Sequence, residues 1–187
     1  MPTIIVPIAA GFEEIEACTI IDVLRRAEFN VITAGMESKC VCGSHDIIIE
    51  CDHLFENIDF TDVDGLVLPG GMPGSGNLLA SQKLRKIITE LNQREKCIAA
   101  ICAAPWVLAE AGVLNDKNAT SYPDFAEKLA KSNYSNRRVV SDGNLITSRG
   151  VGTALEFSLT LVEYFKGFDV TKELAEKMLV NWPSDKH

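Results

Sequence analysis

Short apolar runs rich in β-branched residues alternate with segments of helical spacing along nearly the whole chain. That alternation constrains the fold more than any single motif does. Residues 3–8 (Thr-Ile-Ile-Val-Pro-Ile) form one such run, unbroken by charged residues, consistent with a strand buried on both faces. Residues 14–27 follow, with Ala17, Ile20, Ile21 and Leu24 on one helical face. The pattern then predicts strands at 30–33, 65–68 and 97–101 and helices at 82–93, 103–111, 123–131, 152–165 and 171–179. A short apolar run at 46–50 is expected to form a hairpin with the Cys40 region, and 139–140 to pair with 145–147 around Asp142-Gly143-Asn144. Strands alternating with helices imply an α/β fold, a parallel sheet covered on both faces. Ligands in such folds bind beyond the carboxyl ends of the strands, here the neighbourhoods of Ile8, Leu68 and Ile101.

With 187 residues and no repeat, low-complexity tract or linker, residues 1–187 are expected to form one domain. The formal net charge is −8, and no basic patch is larger than Arg137-Arg138. Nucleic acid is therefore a poor partner for this surface. No run approaches the ~20 apolar residues of a membrane span, and Met1-Pro2-Thr3 opens without the basic region of a secretion signal. A cytoplasmic protein with no membrane partner is expected. The six cysteines are then expected to be free thiols. Cys40-x-Cys42 and Cys51-x-His53 bring ligating side chains together, but match no zinc spacing. No metal is expected.

The segment Cys97-Ile98-Ala99-Ala100-Ile101-Cys102-Ala103-Ala104-Pro105 carries the clearest chemical signal. The strand stops at Ile101 and a helix follows at once, with Pro105 tolerated in its first turn. Cys102 sits at the joint, an elbow that lifts a side chain out at the top of the sheet. Helix N-termini present free N–H groups and partial positive charge, and both favour a thiolate. An inert core cysteine is the alternative, and the elbow weighs against it. Cys97, at the other end of the strand, has no such placement and reads as structural. A histidine base is poorly supported, because the chain has only His45, His53 and the terminal His187.

A carboxyl is the better partner. Glu13 and Glu14 fit the first turn of the 14–27 helix, where acids complement the dipole. Glu16 lies four residues before Ile20 and seven before Val23, bordering the apolar face. Spacing leaves two readings equally open: a solvated surface acid, or a partly buried one that keeps its proton. In the second case Glu16 can donate a hydrogen bond to a Cys102 thiolate and serve as acid and base in turnover. Gly70-Gly71, closing the strand at Leu68, is either a plain tight turn or a place where backbone N–H groups meet an oxyanion.

Four segments in this order resemble the DJ-1/ThiJ/PfpI superfamily, closest to its DJ-1 and bacterial YajL branch. They are Gly11-Phe12-Glu13-Glu14-Ile15-Glu16-Ala17, Leu68-Pro69-Gly70-Gly71, Ala99-Ala100-Ile101-Cys102-Ala103-Ala104-Pro105 and Thr147-Ser148-Arg149-Gly150-Val151-Gly152-Thr153. The resemblance implies a flavodoxin-like three-layer sandwich and a homodimer, for which the 14–27 helix with Arg25 and Arg26 is a candidate surface. It implies that Cys102 is the reactive, oxidation-prone cysteine, that Glu16 is the protonated carboxyl beside it, and that N–H groups of Gly71 and Ala103 form an anion pocket. Three residues depart from the pattern and bear on the pocket lining. Tyr122 stands where part of the family has histidine, His45 where an arginine lies near the dimer interface, and Val151 where a proline precedes the last long helix. Ala103 stands where the protease-like branch has histidine, which argues against peptidase activity.

The activity implied is cofactor-independent: the Cys102 thiolate attacks a dicarbonyl such as methylglyoxal, or an early glycation adduct on a protein, and Glu16 moves the proton. The rival is an oxidative-stress sensor or redox-regulated chaperone, in which Cys102 oxidises. Nothing in the sequence supports a third reading, in thiazole or thiamine synthesis or transcription regulation: no phosphate loop and no DNA-binding helix is present.

Overall fold

The computed structural model describes residues 1–182; His187 lies outside them. In chain order, β1 is Thr3–Ile8, α1 Glu14–Arg26, β2 Asn30–Gly35, β3 Cys40–Cys42, β4 Ile48–Glu50, β5 His53–Leu54 and β6 Gly65–Leu68. Then come α2 Gly74–Ala80, α3 Gln82–Gln93, β7 Cys97–Ile101, α4 Pro105–Glu110, β8 Asn118–Ala119 and β9 Asn133–Tyr134. The chain continues with β10 Val139–Asp142, β11 Leu145–Ser148, α5 Ala154–Lys166 and α6 Phe168–Lys177.

Seven strands form one sheet in the order β10-β11-β7-β6-β1-β2-β5. All its pairings are parallel except β10 with β11. The apolar runs are continuous because both faces are covered. Along β1, Ile4, Val6 and Ile8 enter the core under α1, α5 and α6, while Ile5 enters the opposite core with Leu84, Ile88 and Val107 of α3 and α4. Along β7, Ala99 and Ile101 face the first core and Ile98 and Ala100 the second. Side-chain period two thus reads as unbroken hydrophobicity, and the result is a three-layer α/β sandwich. Each fully buried Ile or Leu contributes roughly 1.5–3 kcal/mol.

The chain moves outward from β1 to β2, then returns to place β6 on the other side of β1. This reversal opens a crevice at the carboxyl ends of β1, β6 and β7, the position where such sheets bind ligands.

Several expected elements change in detail. The helix foreseen at 103–111 starts only at Pro105, because Cys102 to Ala104 form a tight turn. Ala104 N–H donates to Ile101 O at 3.0 Å, and Pro105, lacking an N–H, opens α4. The segment foreseen as a helix at 123–131 is a 3₁₀ helix, Pro123–Leu129. A 3₁₀ turn, Val151–Thr153, precedes α5, and the last helix lies a few residues earlier than its spacing suggested. The sequence also hid α2, whose Gly-Ser-Gly-Asn composition resembles a loop. Among the described residues no helix is long and apolar enough to cross a membrane.

Candidate active site

Cys102 stands at the elbow between β7 and α4 with φ of 64°, a left-handed conformation uncommon for a residue with a Cβ. Neighbouring backbone holds it there: Cys102 N–H donates to Ser148 O at 3.0 Å, and Cys102 O accepts from Tyr122 N–H at 2.8 Å. The loop after β11 is itself fixed. The Ser148 hydroxyl lies 2.7 Å from that of Thr153 and donates to Arg138 O at 2.8 Å, while Gly150 N–H donates to Thr153 Oγ1 at 3.1 Å. A Cβ placed on Gly150 would lie 4.0 Å from both Cys102 Sγ and Glu16 Oε1, and 3.5 Å from the Tyr122 ring. Gly150 therefore walls the space above the thiol.

Glu16 resolves the two readings its spacing left open. It is fully buried. Its Oε2 accepts from Gly70 N–H at 2.9 Å, and its Oε1 is buried without a hydrogen-bond partner. The carboxyl and the Cys102 thiol are close enough to act on each other's titration, without a contact of ordinary hydrogen-bond geometry. Burial raises the carboxyl to about 7, against the pull of Gly70 N–H and Cys102.

The thiol departs from expectation. The helix end was expected to lower it, yet burial first, and then the charge of Glu16, push Cys102 up to about 12. The N–H groups of Gly71 and Ala103, which point at the sulfur, pull the other way and are outweighed. The pair therefore loses its protons in two steps, near 7 and near 12. Between them it carries one negative charge and one proton, held jointly rather than by a named atom.

Gly70 and Gly71 have no room for side chains. A Cβ on Gly70 would lie 2.6 Å from both Cys102 Cβ and Glu16 Oε2. Gly71 has φ of 92°, and its Cβ would strike the Phe12–Glu13 backbone.

The remaining expected residues fall in different places. Tyr122 is 44% exposed and packs its ring beside Gly150. Val151, also partly exposed, follows Gly150 at the rim. His45 bonds Glu14 rather than Cys102 or Glu16: its Nδ1 lies 2.8 Å from Glu14 Oε2 and its N–H 2.5 Å from Oε1. Glu14 is accordingly no solvated first-turn acid but a buried one. Burial pushes its pKa up, yet the hydrogen bonds from the His45 ring and N–H prevail and hold it at about 2. The sequence missed this because the two residues are far apart in the chain. The Ser148–Thr153 brace was missed for a different reason: Ser and Thr in a loop carry no distinctive signal. All six cysteines are free, and Cys40, Cys42, Cys51 and His53 do not converge into a ligand set.

A buried carboxyl facing a cysteine at a strand-to-helix elbow, with backbone N–H groups aimed at the sulfur, defines an α/β protein with a thiol–carboxyl site. The chain belongs to the DJ-1/PfpI family, whose sequence pattern it matches over residues 2–164. It is 41% identical over 181 residues to Protein DJ-1 homolog B of Arabidopsis thaliana, covering 96% of this chain and 41% of that protein. It thus spans less than half the length of that plant relative. It is also 41% identical over 180 residues to Protein dj-1beta of Drosophila melanogaster, covering 94% of this chain and 96% of that one. The crystal structure of Drosophila melanogaster DJ-1beta superposes with a TM-score of 0.93 at 39% identity, covering 97% of this chain and 99% of that one. An archaeal relative from Pyrococcus abyssi, 28% identical over 84% of this chain and 96% of its own length, is named a deglycase. A structure described as oxidized Toxoplasma gondii DJ-1 matches with a TM-score of 0.92 at 32% identity, over 97% of this chain and 100% of that one.

Proposed function

We propose that Cys102 and Glu16 act as nucleophile and acid–base in the conversion of reactive dicarbonyls, free or as early adducts on proteins, without a cofactor. The observation that carries this reading is the Glu16 carboxyl. One of its oxygens is fixed on Gly70 N–H, the carboxyl lies beside Cys102, and its pKa of about 7 suits a group that must both give and take a proton near neutrality. The deglycase name of the archaeal relative agrees with it.

With methylglyoxal, the sulfur electron pair bonds to the aldehyde carbon and the carbonyl π pair moves to oxygen. That oxygen takes the proton the pair shares, delivered from Glu16, giving a hemithioacetal. The N–H groups of Gly71 and Ala103, which point at the sulfur, would stabilise the negative charge that develops beside it. The Glu16 carboxylate then removes the proton from the former aldehyde carbon and returns it to the former ketone carbon, while the hemithioacetal hydroxyl proton passes to the former ketone oxygen, leaving a lactoyl thioester. Water cleaves the C–S bond, so methylglyoxal and water become lactate and the thiol is restored. Tyr122 and Val151 line the entrance. The same reading includes a second copy of the chain seated on α1, and sedimentation of a monomer would remove that part.

A peroxide-sensing role is the second reading, supported by the description of the Toxoplasma neighbour as oxidized. Lactate formation from methylglyoxal in glutathione-free buffer, comparing the native chain with Cys102→Ala, separates the two. Turnover that disappears in the variant is the expected result. No turnover from a fully reduced native chain would overturn the enzymatic reading.

A further inference from the structure

Beside the thiol site a second cluster of side chains converges, and the reaction makes no use of it. Glu13 and Glu14 stand at the start of α1, and Ser44 and His45 reach them from the loop between β3 and β4. The Ser44 hydroxyl lies 3.4 Å from Glu13 Oε2, 3.2 Å from Glu14 Oε2 and 3.1 Å from His45 Nδ1. His45 Nδ1 lies 2.8 Å from Glu14 Oε2 and 3.7 Å from Glu13 Oε2. A tetrahedral zinc ion with bonds of roughly 2.0–2.2 Å has neighbouring donors roughly 3.3–3.6 Å apart. Those five separations bracket that value.

The cluster is also rich in lone pairs. The single Ser44 hydroxyl proton faces two carboxylates and one imidazole, and the His45 ring and N–H are directed to Glu14, so Glu13 Oε2 is the least answered acceptor of the cluster, with the Ser44 hydroxyl at 3.4 Å and His45 Nδ1 at 3.7 Å. Its frame is built. Gly11 N–H donates to Cys42 O and Ser44 N–H to Phe12 O, both at 2.9 Å, and Gly43 N–H to Ile47 O at 2.9 Å. Gly43 leaves the space that the Glu14 carboxylate fills, since a Cβ there would collide with it.

The geometry points to a divalent-cation site of the zinc class, with Glu13, Glu14 and His45 as ligands and the Ser44 hydroxyl or a water in the fourth position. Mixed nitrogen and oxygen donors suit zinc better than magnesium, which demands six oxygens. The cation would pin the 43–46 loop to the start of α1, the element that carries Glu16.

The test is zinc titration by calorimetry of the full chain with Cys18, Cys40 and Cys42 changed to Ser, so that exposed thiols do not compete. One ion per chain is expected. His45→Ala, at an exposed position, and the isosteric Glu13→Gln, at a part-buried one, are each expected to weaken binding at least ~10-fold. Cobalt in the same background should give tetrahedral absorption bands without thiolate charge transfer. Absence of stoichiometric binding, binding indifferent to His45→Ala, or displacement of zinc by equimolar magnesium would each overturn the assignment.

Discussion

Two carboxyls on one turn of α1 meet opposite fates. Glu14 and Glu16 are both shielded from solvent, yet Glu14 is held at about 2 and Glu16 raised to about 7. The difference lies in what each meets. Glu14 receives the ring and N–H of His45, which stabilise the carboxylate more than burial destabilises it. Glu16 receives one N–H from Gly70 and on its other side a thiol, which is too little to offset burial. Burial alone therefore does not set protonation; the number and charge of donors facing the oxygens does. One carboxylate fastens a loop, and its neighbour is left poised to move a proton.

The comparison breaks most visibly at Glu16. Glu16→Gln keeps the shape and an acceptor for Gly70 N–H but cannot exchange a proton, so lactate formation should fall by roughly 10²–10⁴-fold while the circular dichroism spectrum is unchanged. A substitution that leaves turnover intact would remove the acid–base role.

A second consequence concerns stability, with opposite signs for the two acids. Glu16 has a raised folded pKa, so the unfolded chain ionises first as pH rises. Stability is lost between about 4.5 and 7, by as much as about 3 kcal/mol. In urea titrations Glu16→Gln should gain on the native chain across that window and level off above it. Glu14 has a lowered folded pKa, so its contribution is present above 4.5 and lost as pH falls toward 2. Glu14→Gln should cost about 2 kcal/mol at pH 7, with the gap closing in acid. Parallel slopes for the two variants would show that they do not differ as described. The smallest effect belongs to His45→Ala, an exposed residue, which should lower the urea midpoint less than Glu14→Gln does.

Much of this architecture was legible in the sequence. The runs at 3–8, 65–68 and 97–101 coincide with β1, β6 and β7, because strands buried on both faces announce themselves as unbroken apolar stretches. The elbow at Cys102 was legible from the abrupt change of period before Pro105. What stayed hidden depended on distant partners. Glu14 looked like an ordinary first-turn acid until the loop around His45 folded onto it, and Glu16 looked equally solvated or buried until β6 delivered Gly70. The raised Cys102 thiol was hidden for the same reason. A helix end suggests a lowered value, and only the fold shows the thiol partly buried beside an acid.

The most direct test of the shared proton is the pH dependence of Cys102 alkylation by iodoacetamide, followed by intact mass in the native chain and in Glu16→Gln. The native rate should rise through a step near pH 7, where the pair loses its first proton and gains a thiolate form, and that step should vanish in the variant. A step of the same height and position in both proteins would show that Glu16 and Cys102 titrate independently, and the account of the site would fail.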